Sequence, residues 1–329
     1  MSKILNFSYK ETDAIRKLLF ELEALKILFQ NFKALPHIEE KIRRESLLKS
    51  SLYSARIEGN PAEYGNIEDV DILHKLEISN LLSTYKYIYS NKVPGKLSIN
   101  LIKEIHKMVM KNISPMAGSY RSESWAVFNK VGEVVYLPPA HFRVPGLMNE
   151  LISVHKKNIS HPFIKCAAIQ FLLEKVHPFA DGNGRVGRLL SAYILSREGY
   201  GFRNLVPVEE IVDNKRLDYY QALEPNKDVT LFVEFMLESF IEQARLVSER
   251  LMGINEEKPE DFLFPRRREI FEIIKDHPFA SFNFLSRRFS KVNIKTLHYD
   301  LKKLQEKGFI IKIGETRGAT YKIKNDKTR

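Results

Sequence analysis

A twelve-residue stretch in the middle of the chain, HPFADGNGRVGR at His177–Arg188, carries residue types that favour binding of a polyanion. Gly182 and Gly184 allow the backbone to turn sharply and to approach a ligand closely. Amide groups at the start of a following helix would then point at an anion, which the helix dipole also favours. Arg185 and Arg188, three residues apart, lie on one face of the first turn and can bind further oxygens. The pattern predicts a phosphate-binding turn between two helices.

Other residues of the same stretch could act on the bound anion. Asp181 supplies a hard carboxylate oxygen suited to Mg²⁺, which usually enters a site together with phosphates. His177 is the residue there whose ordinary pKa suits a general base near neutral pH, and Phe179 is expected to anchor the turn in the core. A base beside a polyphosphate site predicts transfer of part of a nucleotide to a hydroxyl group. The alternative is a glycine-rich loop with a capping aspartate and two solvated arginines, which explains fewer of these residues.

The tripeptide His-Pro-Phe carries little of this information by itself, because it also occurs at His161 and His277. The copy at His161 is followed by IKCAAIQFLLEK, which lacks glycine and arginine, and its proline suits a first helical turn. The copy at His277 follows REIFEIIKD, and its proline is expected to stop that helix. We therefore predict helix boundaries at these two copies and a site only at His177.

The stretch His177–Arg188 resembles the motif of the Fic family of nucleotidyl transferases, HPFx[DE]GNGRxxR, at every defined position. The resemblance covers roughly residues 1–255 and implies a protein adenylyltransferase that uses ATP and Mg²⁺. By this resemblance, His177 would deprotonate a Tyr, Ser or Thr hydroxyl of a target protein, or of the chain itself, for attack on the α-phosphate of ATP. AMP would be transferred and pyrophosphate would leave. Asp181 would hold Mg²⁺, Asn183 and the glycine amides would bind phosphate oxygens, and Arg188 would bind the γ-phosphate.

Further positions follow from the same resemblance. The implied ATP site comprises Asp181, Gly182, Asn183, Gly184, Arg185, Val186, Gly187, Arg188 and Tyr219. Tyr219, the first tyrosine of LDYYQAL, would lie beside the nucleotide base. Gly118–Arg121 and Tyr136–Pro139 resemble the flap on which the family docks its target, which gives Val135, Tyr136 and Leu137 as docking residues. Family relatives that act as kinases carry lysine at the position of Gly184, so the glycine favours AMP transfer.

The heptapeptide SARIEGN, which begins at Ser54, would by itself indicate an ordinary solvated helix face. It also resembles the inhibitory motif of the family, [ST]xxxE[GN], through Ser54, Glu58 and Gly59. A carboxylate presented to an arginine can form a charge-assisted, bidentate pair. If Glu58 occupies Arg188, the γ-phosphate of ATP cannot, so the resemblance predicts an enzyme inhibited by its own N-terminal region.

The spacing of apolar residues predicts a mainly α-helical protein in which these residues are positioned. We predict an N-terminal helical region over 1–90, an all-helical Fic core over 91–255 with a short β-hairpin flap, and a third region over 256–329. The flap hairpin is expected within 118–142, turning at Lys-Val-Gly-Glu, and a polar, proline-bounded linker near 255–265. LDYYQAL and the stretch after Asp228 predict two further helices.

The last region predicts three short helices followed by a hairpin turning at Gly314–Gly318, the element order of a winged helix-turn-helix domain. In its third helix, four apolar residues are expected to face inward: Ile294, Leu297, Leu301 and Leu304. Lys295, His298 and Lys302 would remain on the outer side, where a DNA major groove could contact them.

The net charge of +11 is concentrated in this region. Residues 262–329 hold 17 Lys and Arg against 7 Asp and Glu, whereas the preceding residues hold 35 against 34. The imbalance favours contact with DNA phosphates, with a protein-interaction module as the alternative. Two functions are left open beside AMP transfer: a DNA-binding regulator modulated by Fic chemistry, and removal of AMP from a modified protein. A homodimer is also left open.

Bulk composition excludes several other classes of protein. The single cysteine, Cys166, excludes an intramolecular disulfide framework and a cysteine-rich zinc site, and is expected to be buried. No apolar run is long enough for a membrane span, and the N-terminus lacks the apolar core of a signal peptide. A cytoplasmic protein is therefore expected.

Overall fold

The computed structural model describes residues 7–33, 36–124, 126–128, 132, 134–156, 161–224, 228–253, 260, 263–314 and 319–324. The chain divides into two compact units, Met1–Met252 and Gly253–Arg329. The first unit therefore contains both the predicted N-terminal helical region and the predicted Fic core. Most of the predicted linker lies outside the described residues. The same is true of most residues in the predicted turns at Lys-Val-Gly-Glu and Gly314–Gly318.

Helices make up most of the first unit, as the sequence predicted. In the described residues they are α1 (Asp13–Asn31), α2 (Pro36–Ile57), α3 (Ile72–Ile88), α4 (Ile99–Val109), α5 (Val144–His155), α6 (Pro162–Val176), α7 (Asn183–Arg197), α8 (Glu209–Asn214), α9 (Arg216–Ala222) and α10 (Thr230–Gly253). Several of them begin where a side chain accepts a hydrogen bond from a backbone N–H of the first turn, which is otherwise unpaired. Thr12, Asp71 and Ser98 cap α1, α3 and α4 in this way.

The His-Pro-Phe copy at His161 marks a helix boundary, as predicted. His161 caps α6 by accepting a hydrogen bond from the N–H of Phe163 at its Nδ1 atom, and Pro162 is the first residue of the helix. Proline suits this position because a first-turn N–H has no intrahelical acceptor.

Helices α6 and α7 form the centre of the first unit; residues 177–182 connect them, and residues 183–188 begin α7. Apolar side chains of α6 are buried on almost every side of the helix: Phe163, Ile164, Cys166, Ala167, Ala168, Ile169, Phe171, Leu172, Leu173 and Val176. Each large side chain among them contributes about 1.5–3 kcal/mol through burial. Cys166 is fully buried, as expected. The rigidity of this helix pair is what positions the site.

The flap is a two-stranded antiparallel hairpin formed by β1 (Val127–Phe128) and β2 (Val134–Tyr136). Val127 pairs with Tyr136 and Phe128 with Val134, so the register shifts between the two pairs. The predicted hairpin is therefore confirmed in its two strands.

No helix in the described part of the chain combines the length and apolarity needed to cross a membrane.

The second unit contains α11 (Pro265–Asp276), β3 (Ala280–Ser281), α12 (Phe282–Arg288), α13 (Ile294–Glu306), β4 (Ile310–Ile313) and β5 (Thr320–Ile323). The strands form one antiparallel sheet in the order β3-β5-β4. The three helices and the final hairpin were predicted, whereas β3 was not. Helix α11 ends at His277, whose N–H donates to the carbonyl of Ile273, so this His-Pro-Phe copy also marks a helix boundary.

The core of the second unit differs from the prediction at one end of α13. Leu297, Leu301 and Leu304 are buried as predicted, but Ile294 is 59% exposed, so that part of the prediction was wrong. Ile294 is the first residue of the helix, and along α13 the buried core begins only at Leu297. Periodicity alone cannot tell where a small core ends.

The three residues predicted to contact DNA are all exposed. Lys302 lies 3.9 Å from Glu306 in a solvent-facing ion pair, and the ring of His298 stacks on Phe282 at 4.0 Å between ring centroids. Lys295 lies in the first turn of α13. Assignment of this unit to the winged helix-turn-helix class stays a prediction.

Candidate active site

The turn between α6 and α7 begins with a strained backbone at His177. This residue has a φ of 46° and a ψ of 61°, and its N–H donates to the carbonyl of Leu173 at 2.9 Å. A non-glycine residue in this left-handed region costs about 1–3 kcal/mol and persists only where its surroundings enforce it. At the other end of the turn Gly182 has a φ of 82° and is the N-cap of α7. Five residues, 178–182, therefore separate the histidine from the first residue of α7, whose first-turn N–H groups suit an anion.

Burial lowers the pKa of the His177 imidazole below its ordinary value, and a hydrogen bond to the backbone of Glu174 offsets part of this effect. The ring is therefore mainly neutral at pH 7, which is the form that accepts a proton. This electrostatic environment fits a general base.

Arg121 holds the turn and the ends of the flap with one buried guanidinium. Its Nε donates to the carbonyl of His177 at 2.8 Å, Nη1 to that of Glu123 at 2.9 Å, and Nη2 to that of Pro139. Its backbone N–H also donates to the carbonyl of Pro178 at 3.0 Å. The resemblance placed Arg121 near the flap, but these contacts with the turn became apparent only in the structure.

His106 of α4 supports the turn from another side. Its ring stacks on Phe179 at 3.7 Å between centroids, and its Nδ1 accepts a hydrogen bond from the N–H of Gly118 at 2.9 Å. The proton therefore resides on Nε2, which donates to the carbonyl of Asp181 at 3.0 Å. Burial lowers the pKa of His106 to about 4, so the ring keeps this neutral tautomer. No pattern in the sequence marks His106.

Asn183 closes the turn on itself. Its Oδ1 accepts from the N–H of Phe179 and its Nδ2 donates to the carbonyl of the same residue, both at 2.9 Å. The side chain is buried. The resemblance gave Asn183 as a phosphate ligand, whereas here its side-chain amide stabilises the turn.

Arg185 is paired within the protein. Its Nη1 lies 2.7 Å from Oε1 of Glu77 in α3, and its Nη2 lies 2.8 Å from Oδ1 of Asp181. The same Oδ1 atom accepts from the N–H of Gly182 at 2.6 Å. Glu77 in turn accepts from Nδ2 of Asn60 at 2.7 Å. This chain of contacts links Asn60, directly after the 54–59 segment (Ser54–Gly59), to Asp181, and Glu77 was not predicted from the sequence.

Arg188 contacts both polar residues of the predicted inhibitory motif. Its Nε donates to Oγ of Ser54 at 3.0 Å, and its Nη2 donates to the Ser54 carbonyl at 2.9 Å and to Oε1 of Glu58 at 2.8 Å. Burial lowers the pKa of Arg188, but Glu58, together with Tyr219 and Glu174, more than reverses this and holds it above its ordinary value. The contact predicted between Glu58 and Arg188 is therefore present.

Gly184 leaves the space that the Glu58 carboxylate occupies. A β-carbon at Gly184 would overlap that carboxylate and would lie 3.2 Å from Nη1 of Arg188. Gly59, directly after Glu58, has a φ of 103°, which lets the chain turn away at the end of α2. The sequence predicted Gly184 in a sharp turn, but it lies in α7 without a positive φ, and the structure gives a steric reason for glycine there instead.

The C-terminal part of α2, which carries Ser54, is held against α8. Polar pairs join the two helices: Lys49 Nζ with Glu210 Oε1 at 2.8 Å, Ser50 Oγ with Glu209 Oε2 at 2.7 Å, and Arg56 Nε with Asp213 Oδ2 at 2.9 Å. The sequence analysis did not predict α8. These contacts fix α2 against the core and so hold the 54–59 segment at Arg188.

The two adjacent tyrosines of α9 occupy different environments. Tyr219 is 1% exposed, and its hydroxyl accepts a hydrogen bond from Nε2 of Gln170 at 3.0 Å. Tyr220 is 46% exposed, and its hydroxyl donates to the carbonyl of Ile57 at 2.9 Å. The structure therefore places Tyr219, given by the resemblance as the residue beside the nucleotide base, inside the core.

The predicted docking residues of the flap also differ in their environments. The hydroxyl of Tyr136 donates to the carbonyl of Lys175 in α6 at 2.5 Å, which ties β2 to the helix before His177. Leu137 is 70% exposed. Val135 lies in β2, and its side chain is outside the described part of the structure.

The α6–turn–α7 unit of this helical protein thus carries a neutral histidine and a buried arginine near the start of one helix. Residues 96–195 match the model of the Fic/DOC family. The chain therefore contains a Fic/DOC family domain.

Curated relatives and solved structures agree with this assignment. A protein adenylyltransferase Fic of Nematostella vectensis is 33% identical over 173 residues, which are 50% of this chain and 38% of that protein. Another of Aedes aegypti is 29% identical over 212 residues, 60% of this chain and 41% of that protein. The chain thus spans about two fifths of the length of the curated relatives it matches.

Among solved structures, a Fic family protein from Desulfovibrio desulfuricans superposes with a TM-score of 0.71 at 23% identity, over 98% of this chain and 99% of that one. Fic-1 (residues 134–508) from C. elegans gives a TM-score of 0.58 at 21% identity, over 73% and 72%. These similarities show that the chain has a Fic fold.

Proposed function

We propose that the protein transfers AMP from ATP to a Tyr, Ser or Thr hydroxyl of a protein, and that Glu58 inhibits this activity. The proposal rests on one observation: a neutral histidine directly before α7 and an arginine of α7 that a distant glutamate already binds. His177 is neutral and precedes an anion-binding helix N-terminus, while Arg188 of that helix is already bound by a carboxylate. The curated relatives bear the name protein adenylyltransferase Fic, which supports the same reaction.

In the proposed reaction His177 accepts the proton of the target hydroxyl, whose oxygen attacks the α-phosphate of ATP. The bond from the α-phosphorus to the bridging oxygen breaks, and pyrophosphate leaves. The free N–H groups at the start of α7, including Gly184, bind phosphate oxygens. Arg188 binds the γ-phosphate and so orients the chain of phosphates for attack from the side of His177.

Asp181 fits the magnesium ion that such a reaction needs. Its side chain is 61% exposed, and its hydrogen bonds from Arg185 and Gly182 both fall on Oδ1. Oδ2 is therefore the atom suited to Mg²⁺, which binds through one or two carboxylates together with phosphates and waters. When bound, the ion would neutralise charge on the phosphates.

Glu58 inhibits in this proposal by occupying the γ-phosphate position at Arg188. The guanidinium makes three hydrogen bonds to the 54–59 segment, two with Ser54 and one with Glu58. Ser54 can keep its contacts while Glu58 turns away, so displacement of one side chain is enough to expose Arg188. Movement of the whole of α2 would cost more free energy, because it would break the polar pairs between α2 and α8.

The test is incubation of the full chain with ATP labelled at the α-phosphate and a cell lysate. Wild type, Glu58→Gly and Glu58→Gly/His177→Ala are compared, with Glu63→Gly, an exposed glutamate nearby, as the matched control. We expect strong labelling only with Glu58→Gly. Equal labelling by wild type and Glu58→Gly would contradict inhibition, and label retained by the His177→Ala protein would contradict the proposed base. Release of AMP from the labelled target measures the reverse reaction.

For the second unit we infer contact with DNA. The concentration of positive charge in residues 262–329 and the exposure of Lys295 and Lys302 on α13 support this inference. Binding of the full chain to duplex DNA is measured against salt concentration, with Lys295→Ala/Lys302→Ala against Lys275→Ala as control. Loss of two phosphate contacts should reduce the salt slope by about 2. An unchanged slope in the double variant, or no binding by the wild type, would contradict the inference.

A further inference from the structure

Arg188 shares its environment with a second carboxyl group that has no role in the proposed reaction. Glu174 lies in the last turn of α6, three residues before His177. Its Oε1 is buried and has no hydrogen-bond partner among the described residues, and the same holds for Nη1 of Arg188. A buried donor and a buried acceptor are thus both unsatisfied in one site, which is uncommon because each costs about 1–3 kcal/mol.

The surface of α7 brings both carboxyl groups to the same helix face. Gly184 and Gly187 are three residues apart and therefore lie on one side of the helix, on successive turns. A β-carbon at Gly184 would overlap the Glu58 carboxylate, and one at Gly187 would lie 3.1 Å from Oε1 of Glu174. Each glycine leaves room for one carboxyl group, and Arg188 follows them on the same helix.

Burial favours the protonated form of Glu174, and the charge of Glu58 adds to this while Glu58 is in place. Burial, with a smaller contribution from the negative charge of Glu58, raises the pKa of Glu174 to about 8, although Arg188 opposes the shift. The other titratable groups that face it are Tyr219 and Tyr220 of α9. Burial raises the pKa of both tyrosines well above the neutral range, to about 12 for Tyr220. Glu174 is therefore the group of this set that titrates near neutral pH.

We propose that Glu174 is a positioning residue that acts through Arg188 and makes the binding of a nucleoside triphosphate depend on uptake of a proton. When Glu58 turns away and Glu174 is ionised, the second carboxylate pairs with Nη1 and cancels the charge of the guanidinium. When Glu174 carries a proton, Nη1 and the full positive charge remain for the terminal phosphate. The proton comes from solvent and stays on the Glu174 carboxyl while the triphosphate is bound. This inference rests on the proposed function, because it requires a triphosphate at Arg188.

The sign of the pH dependence follows from this arrangement. A triphosphate next to Glu174 favours its neutral form and so raises its pKa relative to the nucleotide-free protein. The affinity for the triphosphate is then highest below the pKa of Glu174 in the nucleotide-free protein. It falls as pH rises from that pKa to the pKa of Glu174 in the complex. A difference of about one pKa unit corresponds to about a tenfold loss of affinity across that range.

The experiment is calorimetric titration of Mg²⁺-ATP into the full-length Glu58→Gly/His177→Ala protein. His177→Ala removes both turnover and the other group of the turn that titrates near neutral pH. At pH 7.5 the binding enthalpy is measured in buffers with different ionisation enthalpies, and the dissociation constant is followed from pH 6 to 9. We expect net proton uptake and about a tenfold weaker binding at the alkaline end.

The matched control adds Glu174→Gln, which has nearly the shape of the protonated acid. It should bind ATP without that uptake and without that loss at high pH, and Glu174→Ala provides a second variant with the same expectation. Uptake that is absent, or equal with and without Glu174, overturns this inference and leaves the proposed function standing. No binding of ATP by the Glu58→Gly/His177→Ala protein at any pH overturns both. The number of protons that the Glu58→Gly/His177→Ala protein takes up on binding ATP tests the inference even if neither Glu174 variant folds.

Discussion

Glu58 and Arg188 are 130 positions apart in the chain, yet Oε1 of one lies 2.8 Å from Nη2 of the other. The arginine side chain is 3% exposed and the glutamate side chain 29% exposed, so a nearly buried cation has a counter-ion that solvent can reach. Without that counter-ion the guanidinium would be a buried, uncompensated charge, which is costly in a protein interior. Another anion that reaches the site can therefore replace the glutamate at little net cost.

We first predict that Glu58→Gln lowers the dissociation constant for ATP by about tenfold or more and raises the rate of AMP transfer by a similar factor. The change keeps the shape of the side chain but removes a charge-assisted bond of about 1.5–3 kcal/mol that competes with the γ-phosphate. The measurements are ATP titration and initial rates of label incorporation. Glu63→Gln is the control, and an affinity for ATP no higher than that of the control would contradict the competition.

The second prediction concerns Gly184→Ala, whose effect on stability should depend on Glu58. In the wild type the new β-carbon overlaps the Glu58 carboxylate, so the free energy of unfolding should fall. In a Glu58→Gly background the carboxylate is gone, and the close neighbour that remains is the far end of the Arg188 side chain, with Nη1 at 3.2 Å. Once that end shifts slightly, alanine in place of glycine within a helix should stabilise by up to about 0.5–1 kcal/mol. Chemical denaturation of the four proteins gives the double-mutant cycle. The same effect in both backgrounds would contradict the steric role of Gly184.

The third prediction is a loss of stability on acidification that depends on His106. Its pKa is about 4 in the folded protein and near its ordinary value of 6.5 after unfolding. The unfolded chain therefore binds more protons between these values, and this contribution is complete above pH 6.5 and is lost as pH falls toward 4. The full difference corresponds to at most about 3 kcal/mol, before a reduction for partial solvent screening.

The measurement for His106 is the free energy of unfolding by denaturant from pH 7 to pH 4.5. His106→Gln should be less stable at pH 7 and should lose less stability across this range than the wild type. His298→Gln, at an exposed position of the second unit, is the control. If His106→Gln keeps the full pH dependence of the wild type, His106 does not hold the turn in its neutral form.

A fourth prediction is that Arg121→Lys lowers the rate of AMP transfer by about tenfold or more while ATP binding changes less. One guanidinium serves the carbonyls of His177, Glu123 and Pro139, and an ammonium group cannot reach all of them in the same geometry. The backbone of His177 would lose the contact that helps to hold its strained conformation. Rates and ATP affinity are measured together, with Arg143→Lys as the control. Equal losses in both quantities would indicate general destabilisation.

Local patterns of the sequence accounted for much of the framework. The proline in each outer His-Pro-Phe copy correctly marked the start of α6 and the end of α11, because proline acts within one helical turn. The amphipathic spacing correctly marked most helices. It was wrong at Ile294, where the helix continues beyond the small core. It also missed β3, since a strand as short as Ala280–Ser281 has too few residues to show an alternating pattern.

The sequence by itself indicated the chemistry of the 177–188 segment, because its histidine, glycines and arginines lie within twelve residues, in the turn after α6 and the first turns of α7. It also pointed to Glu58 as the residue opposite Arg188, through the resemblance to a family motif. Only the tertiary structure decided which groups share that site. Glu174, Glu77, His106 and the helix α8 come from separate parts of the chain, and packing sets their distances. Burial likewise decided that Tyr219 lies in the core and that the pKa of Glu174 is raised, because desolvation depends on neighbours that no local pattern reveals.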